Sequence, residues 1–195
     1  MNNLTALSLS IAGLAGLATF LAVGPLGGVF LIWAATIAWA AYFFLGANQE
    51  ALKNTIVCGI FGVFMAWLAA IQLTNIPSTA VLGFPFWAAV TVTCSVLVMC
   101  LAANIPALAT IPVSVLGYSS AFAYLLQTPE KLTKGVLLGA TLDNPLILIS
   151  ISIVVGAYFG QLSGQLSAKL QEKLFILRLY ALSLVNVNFQ GFAPF

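Results

Sequence analysis

The sequence predicts an all-α integral membrane protein of about six transmembrane helices, each about 20 residues long. Three observations carry that reading. Hydrophobic residues make up 62% of the 195-residue chain and charged residues 5%, where a soluble domain carries about 25% charged residues. The mean hydropathy is +1.12. Apolar runs long enough to cross a bilayer as helix recur along the chain, and Glu50 and Lys53 are the only charges before Glu130.

The first span is read at Leu4–Val23, closed by Gly24-Pro25. The N-terminus lacks a positive leader region, which makes this a spanning helix rather than a cleaved signal. The second span is Leu26–Leu45, with Gly46 as its stop. Asn48 caps the third helix, Glu50 sits in its first turn where the helix dipole favours an anion, and the helix runs to Leu73. The turn Thr74–Thr79 leads to a fourth span, Ala80–Ala102, with Pro85 near its start. Asn104-Ile105-Pro106 turns into the fifth, Ala107–Gln127. Thr128-Pro129-Glu130 reads as cap, first-position proline and first-turn acid. It opens a segment to Gly139 whose Leu132, Val136 and Leu137 oppose Lys131 and Lys134, as in a helix lying in the interface. Asn144-Pro145 begins the sixth span, which ends near Ser167. A count of five or seven spans brackets the six. Residues 1–170 thus form the polytopic domain. The tail, residues 171–195, reads as an interfacial helix, an extension packed on a neighbour, or an end foreign to the natural chain.

Matching helix ends suggest an internal repeat. Ala41-Tyr42 is followed by Asn48-Gln49-Glu50 and Lys53, and Ala123-Tyr124 by Thr128-Pro129-Glu130 and Lys134. Both Glu-to-Lys spacings permit a pair on one helix face. The halves would be residues 1–73 and 80–170. A unit of three helices is odd, so the halves would be inverted, an architecture transport proteins use with the site near the midplane. Chance resemblance between helix ends is the competing explanation. Basic residues in short loops place Lys53, Lys169, Lys173 and Arg178 on the side of the termini and Lys131 and Lys134 on the other, which predicts cytoplasmic termini.

Several classes are excluded. A net charge of +2, scattered along the chain, gives no nucleic-acid face. There is no histidine, and Cys58, Cys94 and Cys100 lie in apolar spans without metal-like spacing, so no metal and no cofactor is expected. The lack of histidine and of a buried carboxylate pair argues against an enzyme. The lack of an intramembrane ionisable group argues against an ion-coupled pump.

The fifth span is the most polar. Thr110, Ser114 and Tyr118 share a face, Ser119 and Ser120 adjoin it, and Pro112 and Gly117 interrupt it. Thr110, Ser114 and Tyr118 read as the lining of a solute path, with Thr91 of the fourth span as a further member, or as ordinary hydroxyl bonding between helices. Trp33, Trp39, Trp67 and Trp87 read as a constriction or as interface anchors. Glu50 and Lys53 would stand at one mouth, Glu130 and Lys134 near the other, or all four mark helix starts. Gly156, Gly160 and Gly164 form a double G-x-x-x-G stripe for close helix packing, repeated more weakly at Gly13 and Gly16 and at Gly59 and Gly62.

Trp39, Tyr42-Phe43, Gly46, Glu50, Leu52-Lys53, Gly59, Gly62 and Trp67 together resemble a small bacterial inner-membrane family, domain of unknown function 1097. The Pro112…Gly117 and Gly156…Gly160 spans are similar too, so the resemblance covers Leu4–Leu170. It implies a multi-span protein of the bacterial cytoplasmic membrane and no particular reaction. The expectation is a channel or facilitator for a small uncharged polar solute. The alternative is a non-catalytic subunit of a larger membrane complex. The expected partners are the lipid bilayer, a small-molecule solute, and a second copy or a membrane-complex partner.

Overall fold

The computed structural model describes residues 3–77 and 81–190, with the side chains of 4–77 and 81–176. Among the described residues it is helical, with seven α-helices: α1 Asn3–Val23, α2 Ile32–Phe44, α3 Gln49–Leu73, α4 Gly83–Leu101, α5 Ile111–Gln127, α6 Lys134–Leu138 and α7 Pro145–Gln190. Four of them, α1, α3, α4 and α7, are long and apolar enough to cross a membrane.

The other two expected spans are shorter than the sequence reading has them. The second begins at Ile32, not Leu26, because Pro25 has no N–H to donate and Gly28 takes a left-handed φ of +82°. The fifth begins at Ile111, after a 3-10 turn at Pro106–Leu108. Pro112 therefore lies in its first turn, where no N–H is needed, and does not interrupt the helix interior. Six full-length spans thus become four, plus two short helices of about 20 and 26 Å at 1.5 Å per residue. The fourth begins at Gly83, where Leu82 and Gly83 have φ of 71° and 75°; Ala80 lies outside the described residues. The sixth does not stop at Ser167 but runs on to Gln190. Pro145 to Lys169 is about 36 Å of helix, so the charges Lys169, Glu172 and Lys173 lie beyond one hydrocarbon thickness of about 30 Å. The last part of the tail, 191–195, and the side chain of Arg178 lie outside what is described.

The segment after α5 is not one helix. Pro129–Lys131 is a 3-10 turn, and α6 is a separate single turn. Thr128 caps nothing downstream; its hydroxyl donates to the Tyr124 carbonyl at the end of α5 (2.8 Å). Nor does the segment lie free in an interface. Leu137 is fully buried, and Leu132 packs on the core.

The chain divides into two compact units. The larger, Ala18–Gln161, is built around α3, which touches α2, α4, α5 and α6. Its buried positions include Ala51, Thr55, Cys58, Gly59, Gly62, Val63, Ala66 and Ala70, the three- and four-residue spacing of a face turned inward. Asn48 starts the helix by accepting from the Ala51 N–H (2.7 Å). α4 is an outer helix that buries only Ser95 and Met99 among its described side chains. Its Phe84, Leu97, Val98 and Leu101 are exposed. An apolar surface of that kind is a liability in water and is what a bilayer solvates. The smaller unit holds the described parts of Met1–Leu17 and Leu162–Phe195, where Leu14 lies beside Leu162, Gln165 and Lys169.

Candidate functional site: the crossing of the two short helices

Within Ala18–Gln161 two helix contacts are close enough to require glycine. A Cβ on Gly62 of α3 would lie 2.7 Å from the Ser114 carbonyl carbon and 2.9 Å from the Tyr118 nitrogen of α5. A Cβ on Gly117 would meet the Gly59 carbonyl carbon at 2.9 Å. On the other side, a Cβ on Gly156 of α7 would lie 2.6 Å from the Ala35 carbonyl carbon of α2, and one on Gly160 would meet the Tyr42 ring at 2.8 Å. Backbones approach this closely only where nothing projects between them. Gly156 and Gly160 are therefore used inside the chain, while Gly164 faces open space. Both pairs run parallel. Leu31, Ala35 and Trp39 of the α2 region meet Ser152, Gly156 and Phe159 in order. Cys58, Gly62 and Trp67 meet Ala107, Ser114 and Leu137 in order.

The ends of the two short helices are also fastened alike. The Tyr42 hydroxyl donates to the Ala47 carbonyl (2.7 Å), immediately before the capping Asn48. The Tyr124 hydroxyl donates to the Asp143 carbonyl (3.2 Å), immediately before Asn144, whose Oδ1 accepts from the Leu146 N–H (2.9 Å). Asn144 thus caps its helix as Asn48 does, while Thr128 does not cap one. Glu50, Lys53, Glu130 and Lys134 are exposed, and among the described residues neither Glu–Lys pair forms an ion pair.

The ion pair is elsewhere. Lys131 Nζ meets Asp143 Oδ1 at 2.7 Å, donates to the Tyr124 hydroxyl at 2.8 Å and stands over the Tyr124 ring. The Asp143 carboxylate, and secondarily Tyr124, raise the lysine pKa above its ordinary range. The segment that carries Lys131 is held at its middle by the Leu137 carbonyl, which accepts from the Trp67 indole (2.7 Å) and from Asn144 Nδ2 (2.8 Å).

The expected lining residues are dispersed. Thr110 is half-buried just ahead of α5, and Thr91 is half-buried on α4. Tyr118 points to α4, where its hydroxyl shares a 2.8 Å hydrogen bond with Ser95 rather than meeting Thr91. Ser114 is buried and its hydroxyl has no protein partner. A small cavity lies among other residues. Thr55 of α3, fully buried and also without a protein partner, and Ser120 of α5 line a small cavity with Ala41, Gly59, Gly117 and Ile153. It offers about 10 Å³ to the centre of a water-sized sphere. Beside it an apolar groove of about 650 Å³ runs between α2 and α5, lined by Ile37, Ala40, Phe44, Pro112 and Leu116 among others. Thr55 could have been flagged as a lone hydroxyl on an otherwise apolar helical face. Among the described residues no three His, Cys, Asp or Glu side chains converge as a metal site would need.

Residues 8–168 match the family described as "Protein of unknown function (DUF1097)". No curated protein and no solved structure matches the chain. The match takes in every described residue of the α2, α3, α5 and α7 contacts above, and the chain belongs to the DUF1097 family.

Proposed function

We propose that the protein is a multi-pass protein of the bacterial cytoplasmic membrane, with cytoplasmic termini, that passes a small uncharged polar solute at the crossing of α2 and α5. The observation that supports this reading is the pair of short helices, each entered through a broken segment, Gly24–Leu31 and Ile105–Thr110. Two interrupted apolar segments in corresponding positions of two halves are the sequence pointer to a transport site. The halves here are α2–α3 and α5–α7, related by Tyr42 and Tyr124, Asn48 and Asn144, and the Gly59–Gly117 and Gly156–Ala35 approaches. Both contacts pair parallel helices, as an inverted repeat of three helices requires. In this reading the centre is Thr55 and Ser120, with Ser114, Tyr118, Thr110 and Thr91 along the approach. The absence of charge at the crossing suits a neutral solute.

The second reading, a non-transporting subunit of a membrane complex, is favoured by one observation: the helices touch backbone to backbone and leave room for about one water. Stopped-flow swelling of proteoliposomes with a panel of small amides, polyols and ammonia-like solutes separates the two. Entry of at least one solute faster than into empty liposomes is expected. Rates equal to empty liposomes for the whole panel, with a different protein retained stoichiometrically after mild extraction, would establish the subunit instead.

A further inference from the structure

We propose that the groove between α1 and the far part of α7 binds one anionic phospholipid, with its phosphate at Lys169 and Lys173 and an acyl chain along Leu14, Leu162 and Leu166. In the smaller unit, Leu14 of α1 and Leu162, Gln165, Leu166 and Lys169 of α7 line an open groove of about 210 Å³. With Lys173, the α7 members are spaced three, one, three and four residues apart, which places them on one helix face. That face changes character with depth. Pro145 to Gln165 is about 30 Å of helix, one hydrocarbon thickness. Leu162 thus lies inside the boundary, Gln165 and Leu166 at it, and Lys169 about 6 Å outside, where headgroups lie. Side chains on a helix tilt toward its N-terminus, so Lys169 and Lys173 lean back toward the bilayer.

Charge and apolar surface together select the occupant. Lys169, Glu172 and Lys173 are exposed, and among the described residues none of them forms an ion pair. Two ammonium groups against one carboxylate leave net positive charge at the outer end of the groove, which favours an anionic headgroup over a zwitterionic one. Leu162 and Leu166 are 48% and 40% exposed, a surface that a free phosphate would leave bare and an acyl chain covers. A phospholipid answers both ends at once.

Native mass spectrometry of the full chain in detergent, titrated with dioleoyl phosphatidylglycerol, tests this. One lipid should be retained, more tightly than phosphatidylethanolamine of the same chains and undisplaced by excess glycerol phosphate. A lysine near an anionic lipid contributes about fivefold in affinity, so Lys169→Gln and Lys173→Gln should each weaken retention by about that factor. Leu166→Asn should weaken both lipids alike. Equal retention of the two lipids, lysine variants that bind as the parent does, or displacement by glycerol phosphate would each overturn the proposal. Should the variants fail to fold, the parent decides in nanodiscs. Phosphatidylglycerol with a diazirine in its acyl chain must label the peptide holding Leu162 and Leu166 above the exposed face of α4, and equal labelling would refute a site. Neither readout involves solute flux, so a chain that transports nothing leaves this lipid site standing.

Discussion

Gly62→Ala is the sharpest test of the central packing. The new methyl would lie 2.7 Å from the Ser114 carbonyl carbon and 2.9 Å from the Tyr118 nitrogen, while carbon atoms rest about 3.5–4.0 Å apart. Both neighbours are backbone, so no side chain can swing aside. α3 and α5 must then part by about 1 Å, the difference between those separations. Parting them also loosens the Gly59–Gly117 approach and the packing of Val63, Ala66 and Ala121, which are fully buried. Overpacking of this kind costs about 1–3 kcal/mol or more, and a rigid backbone obstacle puts it at the upper end. Alanine returns about 1 kcal/mol in helix propensity. The net loss of about 2 kcal/mol corresponds to a fall in Tm of about 4–8 °C, read by tryptophan fluorescence in nanodiscs. Gly16→Ala is the control, because nothing lies within 4 Å of its added carbon, and it should melt at or slightly above the parent. If Gly62→Ala melts with Gly16→Ala, the backbone contact does not exist and the argument fails.

Three further outcomes are expected. Asn144→Ala removes the helix cap and the two bonds to the Leu137 and Gly139 carbonyls; it should cost about 2–3 kcal/mol and speed deuterium exchange at the start of α7. Trp67→Phe removes the bond to the Leu137 carbonyl and shrinks a ring packed on the core and on Phe64; it should cost at least about 1 kcal/mol, read as a fall in Tm. Lys131→Met removes a partly exposed pair, worth up to about 1 kcal/mol and weakened by salt. Because the folded lysine pKa is raised, its contribution is full below the unfolded value of about 10.4. The parent–variant difference in Tm should hold constant from neutral pH to about 9 and shrink only above 10.4.

The helical, apolar character of the chain was legible because it depends on composition and on period, both of which the sequence displays. So was the start of α3, since Asn48 and Glu50 carry cap and dipole information within one turn. The lengths of α2 and α5 were not. Leu26–Leu31 and Ala107–Thr110 are as apolar as the helices that follow, and hydropathy cannot tell a broken apolar segment from a helical one. The cap at Asn144 was visible, but Thr128-Pro129-Glu130 offered a closer local match to the start of α3, and the structure gives Thr128 no capping bond. The small cavity beside Thr55 and Ser120 depends on which face α3 turns to α5. Gly59, Gly62 and Gly117 decide that jointly, and no one of them decides it alone.

The Leu137 carbonyl has a consequence for the order in which the chain assembles. Its two donors come from opposite sides in time: Trp67 is made long before it, and Asn144 is made after it, at the threshold of α7. During synthesis the segment can find its first anchor as soon as α3 is in place, but it gains the second only when α7 enters. The last long helix therefore completes the connection that leads to it. A chain halted before Asn144 should carry this segment loosely held, open to protease between α5 and the halt, and should become resistant once Asn144 and α7 have been added.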